Sequence, residues 1–313
     1  MTVADKIVAM SAAVEVDPGG LRAQVAGETY EEANPSAVAR QVGNALYQTA
    51  HHGREQLVDK RMRTLRDPRF EARLREAAGE RRTTLRATVV ERREGRIIVD
   101  TGTLRLNVPD SSVRALTDEQ VDVEVDAVRP ALSPGFVFAG HGHRKPGPLL
   151  RLYARIDDPD AAAPVWKTLL EFLDRTGAVW EAKILSNRAL YPRNDALVVY
   201  LGRDGWRHAR DCATAMQSTG LLGQGTSPFA RAITESVCCA FEPDDRTITR
   251  QGLSFGQHRA HVLAQAVIRH AVDQVPEMTL AATIHAAFLD AGIDPNEPAR
   301  NLSSPVVDVL GLN

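Results

Sequence analysis

The sequence predicts an α+β fold, a mixed or antiparallel sheet flanked by helices. Strand-like and helix-like segments are interspersed without a regular strand–helix–strand repeat, which disfavours a doubly wound sheet. Between Thr84 and Val128 short alternating runs read as hairpins. "AKILSNRALYPRNDALVVYLG", Ala182 to Gly202, reads as two apolar strands separated by a polar turn, with Lys183, Arg193 and Asp195 set unusually close to them.

Residues 1 to about 80 read as helical and polar. In "NPSAVARQVGNALYQTA" Asn34 is a natural cap and Pro35 a natural first helical residue. The following "DKRMRTLRDPRFEARLREAAGERR" interleaves acids with its bases, as a solvated helix face does. Glu94-Gly95 and Thr101-Gly102 supply the hairpin turns. "RPALSPGFVFAGHGHRKPGP" reads as a Pro/Gly-rich hinge, placing a boundary near residue 130. The chain therefore divides into an N-terminal helical and small β region, 1–130, and a larger domain, 131–313.

In that larger domain "LLRLYARI" alternates like a strand, and "APVWKTLLEFLDRTG" is an amphipathic helix ending at Gly177. "AVWEAKIL" and "DALVVYL" follow as strands, then a helix over "WRHARDCATAMQ" and the loop "GLLGQGTSPF". Ser227-Pro228 is expected to open a helix running to about Cys239. Ser254 is the expected cap of "SFGQHRAHVLAQAVIRHAV", and "TLAATIHAAFLDAG" is the last helix.

Composition narrows the function. A net charge of −2 disfavours bulk nucleic-acid binding. Three cysteines without a CxxC pair point to a reducing cytosol. The N-terminus has no apolar h-region, and no apolar run approaches the roughly 20 residues that span a bilayer. A cytoplasmic protein without a membrane partner is expected. Of 38 cations only five are Lys: Lys6, Lys60, Lys145, Lys167 and Lys183. Each is informative, since Lys loses its proton on burial and Arg does not.

Alternation puts Arg151, Tyr153 and Arg155 on one strand face, and Glu181 with Lys183 on one face of another. Two such strands side by side would present Arg, Tyr and Lys together; a solvent-facing surface of cross-strand ion pairs fits the same pattern. Tyr200 faces either the cleft or the core, with the core preferred. "SFGQHR" joins a helix N-terminus to Arg259, a ready anion site, though many caps bind nothing. His141 and His143 lack a third metal ligand. The glycines of "GLLGQGTSPF" lack the Lys-Ser/Thr ending of a phosphate loop. Cys238 and Cys239 read as core residues of an apolar helix.

Together, "SPGFVFAGHG", "RLYARI", "AKILSNRALYPRNDALVVYL", "SPFARAI" and "GLSFGQHR" resemble the HopA effector family over roughly residues 130 to 300. That family includes stand-alone relatives in class V lanthipeptide and thioamide-peptide biosynthesis. The resemblance implies a lyase acting after a kinase has phosphorylated Ser or Thr of a precursor peptide. Phosphate leaves, giving dehydroalanine or dehydrobutyrine.

A more distant similarity to phosphothreonine lyases implies roles. Lys183 is the base, and Arg151, Arg193 and Arg259 hold phosphate. Asp195 orients Arg193 or a peptide amide. Tyr153 stands where those lyases carry a His acid and is the expected catalytic proton donor, to the bridging oxygen or to the enolate. No metal or organic cofactor is implied; the partners implied are a phosphorylated precursor peptide and a protein kinase. Two other readings fit: a non-catalytic module binding leader peptide or kinase, and a cyclase joining Cys to dehydro-residues, which would need a thiol-activating group.

Overall fold

The computed structural model describes residues 3–54, 65–102, 104–117, 119–141 and 147–305. The described residues form seven α-helices and three antiparallel sheets, an α+β fold as expected. The helices are α1 (Asp5–Ala12), α2 (Pro35–Leu46), α3 (Pro68–Ala78), α4 (Ala162–Asp174), α5 (Ala209–Gln217), α6 (Phe255–Asp273) and α7 (Leu280–Asp290).

A small sheet near the N-terminus holds β1 (Glu15–Val16), β2 (Arg22–Val25) and β3 (Glu28–Glu31). A five-stranded sheet holds β4 (Arg82–Arg93), β5 (Arg96–Asp100), β6 (Arg105–Pro109), β7 (Val113–Ala115) and β8 (Gln120–Asp126). Seven strands make the main sheet: β9 (Val128–Ser133), β10 (Phe136–His141), β11 (Leu150–Ile156), β12 (Trp180–Leu185), β13 (Arg193–Leu201), β14 (Arg231–Ala232) and β15 (Val237–Phe241). Their order is β14-β15-β11-β13-β12-β10-β9.

The main sheet has two unlike faces because its strands alternate. One face gathers Leu150, Leu152, Trp180, Ala182, Ile184, Leu197 and Val199 into a core with residues of α3, α4 and α5. In α4 the buried Val165, Trp166, Leu169, Leu170 and Leu173 recur at helical spacing, so one stripe meets the sheet. The second face carries the charges. Arg151 pairs with Tyr200, which also pairs with Glu181; Tyr153 pairs with Val198, which also pairs with Lys183, which pairs with Phe138. Part of this face lies under α2 and α6, whose Val38, Val42, Leu46, Phe255 and Leu263 join Tyr153 and Val198 in a second core.

Three local expectations are corrected. Residues Ser227 to Cys239 do not form a helix. Cys238 packs in one core and Cys239 in the other, which only strand alternation allows. Residues 1 to 80 are not helical throughout, because β1 to β3 form hairpins before α2. The Pro/Gly-rich stretch expected to be a hinge instead supplies β9 and β10, turning at Gly135 with φ +78°. Part of the Arg-rich stretch, with Lys60, falls outside the described residues, as do His143 and Lys145.

Candidate functional site

Lys183 is held mid-strand by β10 and β13 on either side. Its ammonium lies 4.3 Å from the Phe136 ring centre, 5.8 Å from that of Phe138 and 5.9 Å from that of Tyr200. It makes no hydrogen bond or ion pair among the described residues. Burial, then Arg151, disfavours its charged form and draws its pKa down to about 8, with Asp195 opposing. This is the range in which a lysine serves as a base at neutral pH.

Arg151 lies across the same face, its guanidinium 5.0 Å from the Tyr200 ring centre. Nε and one Nη2 hydrogen donate to the Glu242 carboxylate. Burial would lower its pKa; Tyr153, Tyr200 and Glu242 outweigh that and keep it charged. Among the described residues its Nη1 edge meets no acceptor. Tyr200, half-buried, carries the Arg151 guanidinium over its ring on the polar face while packing against the second core.

Asp195 reaches this face through an irregularity. The β11–β13 register passes from Ala154 opposite Leu197 to Ile156 opposite Arg193, leaving extra residues on β13. Such a bulge re-aims side chains. Asp195 accepts from Arg193 Nε at 2.7 Å and Nη2 at 2.6 Å, both residues buried. Burial alone would raise the Asp195 carboxyl, but Arg193 and the two nearby imidazoles hold it well below its usual range. Arg193 lies 6.0 Å from the Phe136 ring that also meets Lys183.

Two histidines from outside the main sheet complete the cluster. α2 ends in a single π-helical turn, Tyr47–His51, a conformation frequent at functional sites. Arg193 Nη2 donates to His52 Nε2 at 2.7 Å, so the His52 proton sits on Nδ1, which is buried without a partner. His51 Nδ1 lies 3.0 Å from Ser227 Oγ, and its Nε2 lies 4.0 Å from Asp195 Oδ2. Burial pushes His51 down to about 4, against the pull of Asp195. The Tyr153 ring meets His51 edge-on at 5.1 Å; its hydroxyl is buried with no hydrogen-bond partner, and burial pushes it well above the ordinary phenol range.

The structure therefore brings Lys183, Arg151, Tyr153, Arg193 and Asp195 to one face. Arg259 is placed differently. It is fully buried, donating to Pro298 O, His258 Nδ1, Arg300 O and Asn301 Oδ1. Three of its five N–H donors are thus spent on tying α6 to the 298–301 segment, and a fourth on His258 of α6 itself. The expected Ser254 cap is present as a full capping box with Gln257. Sequence reading missed Tyr47, His51, His52, Ser227 and Glu242. The one local signal was the doublet His51-His52 before Gly53, which adopts φ +68°.

The model of the HopA1 effector protein family matches residues 127–300. The solved effector protein from Pseudomonas syringae pv. tomato strain DC3000 is 17% identical, with a TM-score of 0.42 over 53% of this chain and 62% of that one. The effector protein from Pseudomonas syringae pv. syringae strain 61 is 13% identical, with a TM-score of 0.49 over 85% of this chain and 92% of that one. No curated protein matches the sequence. Among the described residues no helix is long and apolar enough to cross a membrane.

Proposed function

This chain belongs to the HopA1 effector protein family, and on that premise we propose that it is a carbon–oxygen lyase acting on phosphopeptides. It eliminates phosphate from phosphoserine or phosphothreonine of a ribosomal precursor peptide, leaving dehydroalanine or dehydrobutyrine, in lanthipeptide-type biosynthesis. A partner kinase supplies the phosphopeptide. The observation that carries the reading is Lys183: a half-buried lysine with no hydrogen bond or ion pair among the described residues, its pKa drawn to about 8, on one sheet face with Arg151.

In this mechanism neutral Lys183 removes the Cα proton, and the Cβ–O bond breaks as the double bond forms. The Nη1 edge of Arg151 takes phosphate oxygens while Glu242 fixes the other edge. Arg193, tied to Asp195 and His52, acts by position and field. Arg259 holds the fold around the site. Tyr153, with its unpartnered hydroxyl, donates a hydrogen bond to the substrate.

The test is incubation of the protein with phosphorylated precursor peptide, followed by mass spectrometry. Loss of phosphoric acid that disappears in Lys183→Ala is expected; loss that survives this substitution overturns the assignment. One observation favours a second reading, a non-catalytic peptide- or kinase-binding module. Arg151 and Arg193 are both already neutralised by carboxylates, as they would be in a structural sheet face. Tight binding without loss of phosphate would select it.

A further inference from the structure

We propose that His51 delivers the proton to the departing phosphate, and that it acquires this proton when the phosphate dianion enters. The inference rests on the lyase reading and names a group outside the segment that the family model matches.

Beside Lys183 and Arg193 the phenols of Tyr47, Tyr153 and Tyr200 and the imidazoles of His51 and His52 carry a transferable proton, and burial raises all three phenols. Tyr153 would have to leave a phenolate in a dry, apolar surrounding. His52 keeps its proton on Nδ1, away from the Nε2 that meets Arg193, and of the two imidazoles only His51 counts Arg151 and Lys183 among its main electrostatic neighbours. His51 is built for the task. Ser227 Oγ accepts from the Phe229 N–H at 3.3 Å, and the one acceptor within reach of its own O–H among the described residues is His51 Nδ1. The imidazole proton is thereby fixed on Nε2. Asp195 lies 4.0 Å from that nitrogen, beyond hydrogen-bond reach, and is engaged by Arg193. The Nε2–H is left for an incoming acceptor.

The ring is held from every side. Phe255 of α6 meets it at 5.9 Å and Tyr47 of its own turn stacks at 5.6 Å. The Gly256 backbone lies so close that a Cβ there would come within 2.3 Å of it. The charged and titratable groups facing it are Arg193 and Asp195 from β13, Arg151 and Tyr153 from β11, Lys183 from β12, and Tyr47 and His52 beside it. Burial and three of these cations keep it neutral when no anion is bound. A phosphate dianion at Arg151 offsets that field, and the imidazole takes up a second proton on Nδ1, the Ser227 hydroxyl turning to accept it.

The step balances. Lys183 gains the Cα proton, the C–H pair becomes the double bond, and the Cβ–O pair moves to the bridging oxygen. His51 gives its proton to the leaving group and returns to neutral; monohydrogen phosphate departs. A leaving group that needs no proton, such as chloride, bypasses His51 altogether.

Two measurements on the full chain test this. The histidine 15N signals of the wild-type protein are followed as inorganic phosphate is added at neutral pH. One buried histidine, absent from His51→Gln, should change from the Nε2–H tautomer to imidazolium. Phosphate binding with every histidine unchanged overturns the inference and leaves the lyase reading standing. Second, a short phosphoserine peptide is compared with its β-chloroalanine counterpart. His51→Gln should lower phosphate elimination about 10²–10³-fold while chloride elimination stays within a few-fold of wild type, an asymmetry that misfolding would not give. Equal losses from both peptides overturn it. A wild-type protein that neither binds phosphate nor eliminates it defeats the lyase reading itself.

Discussion

Gly256 and His51 compete for one space: a Cβ on residue 256 would lie 2.3 Å from the imidazole. The absence of a side chain in the first turn of α6 is what lets the ring lie against the helix backbone. Helix propensity alone favours Ala over Gly by about 1 kcal/mol. Gly256→Ala is nevertheless expected to destabilise the protein, because overpacking costs about 1–3 kcal/mol. The double variant Gly256→Ala/His51→Ala should recover most of that loss in a denaturation series. Additive effects would show that the two residues do not share the space.

Lys183 links activity to stability with opposite signs. Its pKa falls from 10.5 to about 8 on folding, so the unfolded chain binds its proton more readily. Stability should therefore rise with pH between about 8 and 10.5, and the folded protein carries a penalty below that window. Lys183→Met is expected to stabilise the fold at pH 7 by about 1–3 kcal/mol while abolishing phosphate elimination. The wild-type rate should climb as pH approaches 8. Lys183→Arg, which stays charged, should be as inactive as the Met variant.

The buried Arg193–Asp195 pair predicts an acid-sensitive fold. The Asp195 carboxyl is held below its unfolded value, so its contribution is present above about pH 4 and fades as pH falls further. Asp195→Asn leaves Arg193 buried without its counter-charge, which is expected to cost about 3–5 kcal/mol. Urea melts at pH 3 and pH 7 check this. The variant should lose less between the two pH values than the wild type does.

Arg151 and Arg259 should part company when each is changed. Arg151→Lys loses the planar fork and should weaken inorganic phosphate binding at least tenfold with a small change in stability. Arg259→Met leaves the Pro298 and Arg300 carbonyls and the Asn301 side chain without donors. It should lower the melting temperature while the folded fraction binds phosphate as before. Calorimetric titration of both variants decides whether either role is misassigned.

Tyr153→Phe removes a buried hydroxyl that has no partner. Such a group costs about 1–3 kcal/mol, so the variant is expected to melt higher than wild type. Phosphate elimination should fall modestly, as a substrate hydrogen bond is lost. A rate loss as large as that of His51→Gln would transfer the proton-donor role to Tyr153.

What could be read from the sequence was what is local. Alternation in "LLRLYARI" and "AVWEAKIL" assigned Arg151, Tyr153 and Lys183 to their faces, and the Asn34 and Ser254 caps were recognisable from composition and spacing. The missed features depend on chain-distant partners. Strand β15 looked like a helix because a fully buried apolar run has no period to betray it. Nothing in "DALVVYL" says that Arg151 lies over the Tyr200 ring. Glu242 and Ser227 acquire meaning only from Arg151 and His51, 91 and 176 residues away along the chain.

The single π-helical turn from Tyr47 to His51 has a practical corollary for anyone re-engineering this scaffold. The residues that define the family begin at 127, yet this turn pushes two imidazoles into the midst of the Lys183 cluster. A chimera that exchanges the N-terminal third would import foreign groups into the Lys183 cluster. The exchanged segment must therefore stop before Tyr47, so that the histidines stay with the sheet they serve.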